Sequence, residues 1–189
     1  MTADPAHKPT LTGELVELRP FRAEDLPDIT AAIDDPEVIR LTGSAERPPF
    51  DPEALRRWYG SRGEQTDRLD LAVVDLASGR CVGETVLNAW DATNRSCSFR
   101  TLIGPAGRGR GLGTEAVRLT VGYAFEQLGL HRVSLEVYAF NPRARRVYEK
   151  VGFVAEGVLR QALRDGGDWA DSTVMSVLSH EWARHRGRP

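Results

Sequence analysis

Apolar and polar residues alternate over Leu15-Val-Glu-Leu-Arg-Pro-Phe21, which predicts a first strand. Ala23 to Asp34 then carries Leu26, Ile29, Ala32 and Ile33 near helical spacing, a helix that Pro36 should end. Residues 43–49 read as a loop, extended at Arg47-Pro-Pro-Phe50. Asp51-Pro-Glu53 opens a second helix: an N-cap residue, proline at the first helical position, an acid in the first turn. Strands are predicted over 70–76, 81–89 and 96–103, joined by turns at Ser78-Gly79 and 91–95 into an antiparallel meander. Residues 111–128 read as a helix. Leu112, Ala116, Leu119 and Tyr123 share one face, and Val117, Val121, Ala124 and Leu128 widen it. Gly129 ends it. Val133 to Tyr138 is a strand, and the order strand, helix, strand predicts a parallel or splayed crossover pair. Pro142 to Val151 is a short helix capped by Asn141. Residues 153–163 and 170–178 close the sheet as a hairpin around Asp165-Gly-Gly-Asp168.

A chain of 189 residues fits one domain, here 11–182, with a disordered leader over 1–10 and a basic tail over 183–189. A net charge of −2 argues against nucleic acid as a general partner. No apolar run is long enough to cross a membrane, and Met1 to Pro9 has no signal-peptide core. Cys81 and Cys97 make no zinc or redox spacing. The expectation is a cytoplasmic protein with reduced thiols, though the two predicted strands are close enough to leave a disulfide open.

Five glycines fall between Gly104 and Gly113, after a strand and before a helix. Such a loop can aim several backbone N–H groups at one anion, with the helix dipole adding to the attraction. It reads as a pyrophosphate cradle. Gly111-Leu-Gly113-Thr-Glu-Ala116 also matches a dinucleotide fingerprint, with Glu136 downstream as a ribose-binding acid. The seven residues between the strand and Gly111, and the antiparallel run before them, count against that. A Walker A loop would need a lysine before Thr114, and Gly113 stands there.

Asn141-Pro-Arg-Ala-Arg-Arg-Val-Tyr148-Glu-Lys-Val-Gly152-Phe153, preceded by Arg108-x-x-Gly111-x-Gly113, resembles the GCN5-related N-acetyltransferases. Leu18-Arg-Pro-Phe21 and Asp168-Trp-Ala-Asp-Ser-Thr-Val-Met175 resemble the subgroup that includes ribosomal-protein N-terminal acetyltransferases. The resemblance implies an α/β fold: a mixed, mostly antiparallel, twisted sheet flanked by helices, with central parallel strands 97–103 and 133–138 splayed into a cofactor slot. It implies direct acetyl transfer from acetyl-coenzyme A to a primary amine, on a protein N-terminus or a small molecule. Pantetheine would lie along Thr101, Leu102 and Ile103, with an N–H near Leu102 polarising the thioester carbonyl. The pyrophosphate would rest on Arg108, Gly109, Arg110, Gly111, Leu112, Gly113 and Thr114. Asn141 would border the thioester, and Arg143 or Arg146 would meet the 3′-phosphate and adenine end. Tyr148 would protonate the leaving thiolate. Glu136 would be the base, with Glu84 the second candidate. No metal is implied, and the chain would be a monomer or homodimer.

Bland readings stand beside these. Tyr148 can be a packing residue under the sheet. Glu136 can belong to a solvated strand face, and Glu115 can simply complement the helix dipole. Asp165 and Asp168 suit turn chemistry. A catalytically inactive coenzyme A-binding regulatory domain would carry the same loop.

Overall fold

The computed structural model describes residues 7–44 and 51–185. The expectations for residues 1–6, 47–50 and 186–189 lie outside them. Among the described residues eight strands form one sheet: β1 (Leu11–Thr12), β2 (Val16–Arg19), β3 (Leu69–Asp75), β4 (Cys81–Asp91), β5 (Ser96–Ile103), β6 (Arg132–Tyr138), β7 (Val154–Asp165) and β8 (Asp168–Leu178). Their order is β1-β2-β3-β4-β5-β6-β8-β7. Every neighbouring pair is antiparallel except β5–β6. That parallel pair is joined only at Ser96↔Arg132, Cys97↔Val133 and Ser98↔Ser134. Beyond Ser98 the two strands part, as the predicted splay requires. On its other edge β4 changes register between Asn88 and Asp91, beside the point of separation. Such an irregularity bends a strand and increases its twist.

Alternation along the strands builds two cores. On one face Ile29 of α1 (Leu26–Ile33) and Leu55 and Tyr59 of α3 (Pro52–Ser61) pack on Ala72, Val74 and Cys81. On the other, α4 (Leu112–Glu126) and α5 (Pro142–Val151) pack on Val73, Leu87, Phe99 and Val133. The short α6 (Ser179–Trp182) sets Trp182 against Phe125 of α4. Both cysteines are buried and free. Among the described residues no helix is long and apolar enough to cross a membrane.

Two expectations need correction. Pro36 does not simply end the first helix; it begins another, α2 (Pro36–Leu41), with the Asp35 side chain accepting from the Val38 N–H at 3.0 Å. Glu115 does more than complement the dipole of α4. Its carboxylate accepts from the backbone N–H groups of Glu14, Leu15 and Val16 at 2.8, 2.7 and 2.8 Å. It therefore clasps the β1–β2 turn to the first turn of α4, and so to the glycine loop. Hydrogen bonds to a charged acceptor are the strong kind. Glu115→Ala is expected to cost about 2 kcal/mol, a melting-temperature drop of roughly 4–8 °C for a chain of this size. Thermal unfolding followed by circular dichroism reads it; an unchanged midpoint would mean that the clasp contributes nothing.

Candidate active site

The gap between β5 and β6 opens into a cavity of about 790 Å³. Thr101, Leu102 and Ile103 of β5 border it on one side, and Ser134, Glu136 and Tyr138 of β6 on the other. The loop after Ile103 supplies Arg108, Gly109, Gly111, Gly113 and Thr114, while α5 supplies Asn141, Arg143 and Tyr148. Glu84 of β4 also faces it. Residues as distant in sequence as Glu84 and Tyr148 thus meet because two parallel strands diverge, each feeding its loop to the same end of the sheet.

The loop is shaped for an anion. Gly109 and Gly111 take φ of +75° and +83°, which L side chains rarely adopt. A Cβ built on Gly109 would meet no heavy atom within 4 Å, so the space above it is open. The first backbone bond of α4 runs from the Glu115 N–H to the Gly111 carbonyl at 3.1 Å, so the N–H groups of Leu112, Gly113 and Thr114 have no partner within the helix. These donors fit a pyrophosphate. Three expected residues contribute no side chain to the cavity. Arg110 turns away to Asp75 Oδ2 at 2.9 Å and to the Ala106 carbonyl at 2.8 Å, bracing the loop from behind. Leu112 is 2% exposed and belongs to the core under α4. Arg146 lies on the exposed side of α5, and Lys150 lines the cavity instead. Asn141 caps α5, its Oδ1 accepting from the Ala144 N–H at 3.1 Å. Its amide nitrogen is what remains for a ligand.

Tyr148 is buried, edge-on to Phe99 with ring centroids 6.3 Å apart and close to Phe153 at 5.8 Å. Among the described residues no group hydrogen-bonds its hydroxyl. Burial raises its pKa, so it stays protonated across the neutral range. It belongs to the α4–α5 side of the sheet.

The carboxylates belong to the opposite face. Leu135 and Val137 pack into the α4 core, so alternation turns Glu136 away from it. Glu84 is paired across the ladder with Ala72 and Leu102, both of the α1–α3 side. Their surroundings differ. Tyr59 of α3 donates to Glu84 Oε2 at 2.9 Å. Burial pushes the Glu84 carboxyl above its ordinary range; the Tyr59 hydrogen bond opposes this, Asp70 adds to it, and Arg100 and Arg68 lower it again. Glu136 is exposed and accepts from Ser172 Oγ of β8 at 3.1 Å.

Neither Tyr59 nor Ser172 is legible as a functional partner in the sequence. The subgroup-like stretches have architectural jobs instead. Arg19 forms a buried pair with Asp25 at 2.7 Å, and Phe21 lies 4.5 Å from the ring of Tyr59. Asp171 Oδ1 accepts from the Gln161 N–H at 2.8 Å, where β7 bulges.

Residues 16–154 match the family model described as the acetyltransferase (GNAT) domain. The chain is 45% identical over 122 residues to the probable N-acetyltransferase YjcK of Bacillus subtilis, covering 64% of this chain and 67% of that one. It is 28% identical over 180 residues to the spermidine N(1)-acetyltransferase of Escherichia coli, covering 90% of each. The fold is similar to that of spermidine N-acetyltransferase from Vibrio cholerae, solved in complex with CoA and spermine, with a TM-score of 0.81, 25% identity, and coverage of 90% of this chain and 99% of that chain. The chain belongs to the GNAT family and is an N-acetyltransferase.

Proposed function

We propose that this enzyme transfers acetyl from acetyl-coenzyme A directly to a primary amine on a cationic acceptor. One observation carries the reading: the slot passes through the sheet, with a protonated phenol on one face and two carboxylates on the other. Acetyl-coenzyme A, when bound, supplies the acetyl group as an activated thioester. The N–H groups from Gly109 to Thr114 would hold its pyrophosphate, and the unpaired edge of β5 from Thr101 to Ile103 its pantetheine. Glu84 takes the proton of the incoming ammonium, because only the free amine has a lone pair. Burial and the Tyr59 hydrogen bond hold it in place and its raised pKa suits it to that proton, whereas Glu136 stands exposed, so Glu84 takes precedence. Glu136 adds negative charge at the acceptor side and draws the cation in. Tyr148 holds the proton that the leaving sulfur needs.

Two acidic groups at the acceptor side, and the likeness to spermidine acetyltransferases, support a small polyamine-like acceptor. A protein N-terminus, as in the ribosomal-protein subgroup, is the other reading that the sequence offers. The test is release of the coenzyme A thiol on a panel: spermidine, an aminoglycoside, and peptides with free N-terminal amines. Turnover of spermidine above the peptides is expected. Turnover of peptides alone would assign the subgroup reading. Acetyl-coenzyme A binding without turnover of any amine would leave a regulatory domain.

A further inference from the structure

Arg108 and Arg143 stand on the two walls of the slot, one following β5 and the other in the first turn of α5 after β6. A single carboxylate joins them. Glu37 of α2 accepts from Arg143 Nη2 through Oε1 at 3.0 Å and from Arg108 Nη1 through Oε2. The two arginines are not held alike. Arg108 also donates to Asp35 Oδ1 at 3.1 Å and to the Ile103 carbonyl at 3.3 Å, and its side chain is 16% exposed. Arg143 is 50% exposed, and among the described residues Glu37 is the only group it bonds. Arg108 is therefore fixed and Arg143 is free to exchange.

We propose that Glu37 occupies the place of a coenzyme A phosphate on Arg143, bridging the walls of the slot and competing with that phosphate for the guanidinium. The inference rests on the coenzyme A reading above. A phosphate offers the planar guanidinium of Arg143 a charge-assisted, two-toothed contact, whereas Glu37 gives it one oxygen and keeps the other on Arg108. When the phosphate takes Arg143, Glu37 keeps Arg108 alone. The slot loses a strut, and α2, whose Val38, Leu41 and Thr42 line the same cavity, loses one of its ties. Cofactor arrival is in this way coupled to the acceptor side.

The test is calorimetric titration of coenzyme A into four proteins: wild type, Glu37→Gln, Arg143→Gln and the double variant. Glutamine keeps the shape of Glu37 at a half-exposed site, and circular dichroism checks folding. An exposed pair of this kind corresponds to roughly a two- to five-fold change in an equilibrium constant. Glu37→Gln should tighten coenzyme A binding by about that factor, Arg143→Gln should weaken it, and the gain should vanish in the double variant. Unchanged or weaker binding by Glu37→Gln makes Glu37 a strut and overturns the proposal. A gain that survives in the Arg143→Gln background places the competition on Arg108 and overturns it too. A wild-type protein that does not bind coenzyme A refutes the parent reading, whereas wild-type binding with a flat cycle refutes this one alone.

Discussion

Tyr148→Phe is expected to leave coenzyme A affinity near wild type and to lower kcat by roughly 10²- to 10⁴-fold. The substitution removes one hydroxyl and keeps the ring between Phe99 and Phe153. No protein partner is orphaned, because nothing among the described residues bonds that hydroxyl. Folding should therefore be unaffected, and the loss should fall on kcat rather than on binding. The chemistry explains the size. A thiolate leaving without a proton donor is a basic anion in a partly buried slot, and a raised phenol pKa guarantees that the donor is loaded at neutral pH. Stopped-flow or steady-state turnover on a confirmed acceptor, with calorimetry for the cofactor, makes the measurement. Wild-type turnover would make Tyr148 a packing residue of the α5 core.

Glu84→Gln is expected to lower kcat/KM by roughly 10²- to 10⁴-fold where a general base matters most, and Glu136→Gln by less. The deficit should be greatest where Glu84 is ionised and the acceptor is still ammonium. It should shrink in alkaline solution, which strips the acceptor's proton without help. The same variant has a second signature, in stability. Burial raises the folded-state pKa of Glu84, so the fold disfavours the ionised form. Stability is lost as pH rises through that folded pKa. Glutamine removes the penalty while still accepting from Tyr59. Glu84→Gln should therefore melt above wild type at neutral and alkaline pH, by roughly 2–4 °C for each kcal/mol relieved. Below about pH 4, where the carboxyl is protonated in folded and unfolded chains alike, the two should melt together. Slower but more stable is the signature of a buried base. A Glu84→Gln enzyme with a normal pH profile, and a Glu136→Gln enzyme without one, would move the base to β6.

The parts of this fold that a single stretch of residues determines were legible, and the parts that two distant stretches share were not. Strands 96–103 and 133–138, the helix over 142–151 and the capping role of Asn141 follow from local periodicity and turn chemistry, and they stand where expected. The same three residues, Asp-Pro-Glu, open both α2 and α3. Only the second was read as a start, because Pro36 follows an apolar helical run and looks like a stop; six residues of α2 are too few to show a period of their own. The loop's backbone was legible because glycine content speaks directly of φ. Its side chains were not: that Arg110 serves Asp75, across 35 residues, is a fact of packing. The acid–base pairing of Glu84 with Tyr59 is of the same kind, since nothing in helix α3 marks a tyrosine that will end beneath a strand.

The three-residue parallel seam has a mechanical consequence. It divides the sheet into two panels, one of β1 to β5 and one of β6, β7 and β8, and each panel is built from one continuous run of the chain. Each can complete its antiparallel pairings before the other exists. Joining them takes a short backbone stitch and side-chain packing across it, with α4 on α5 and Phe99 of β5 on Tyr148 and Phe153. A ligand lying in the gap supplies cross-links that the backbone withholds there. Occupancy of the slot is then a structural event for the whole molecule, felt as cohesion between panels far from the atoms that react.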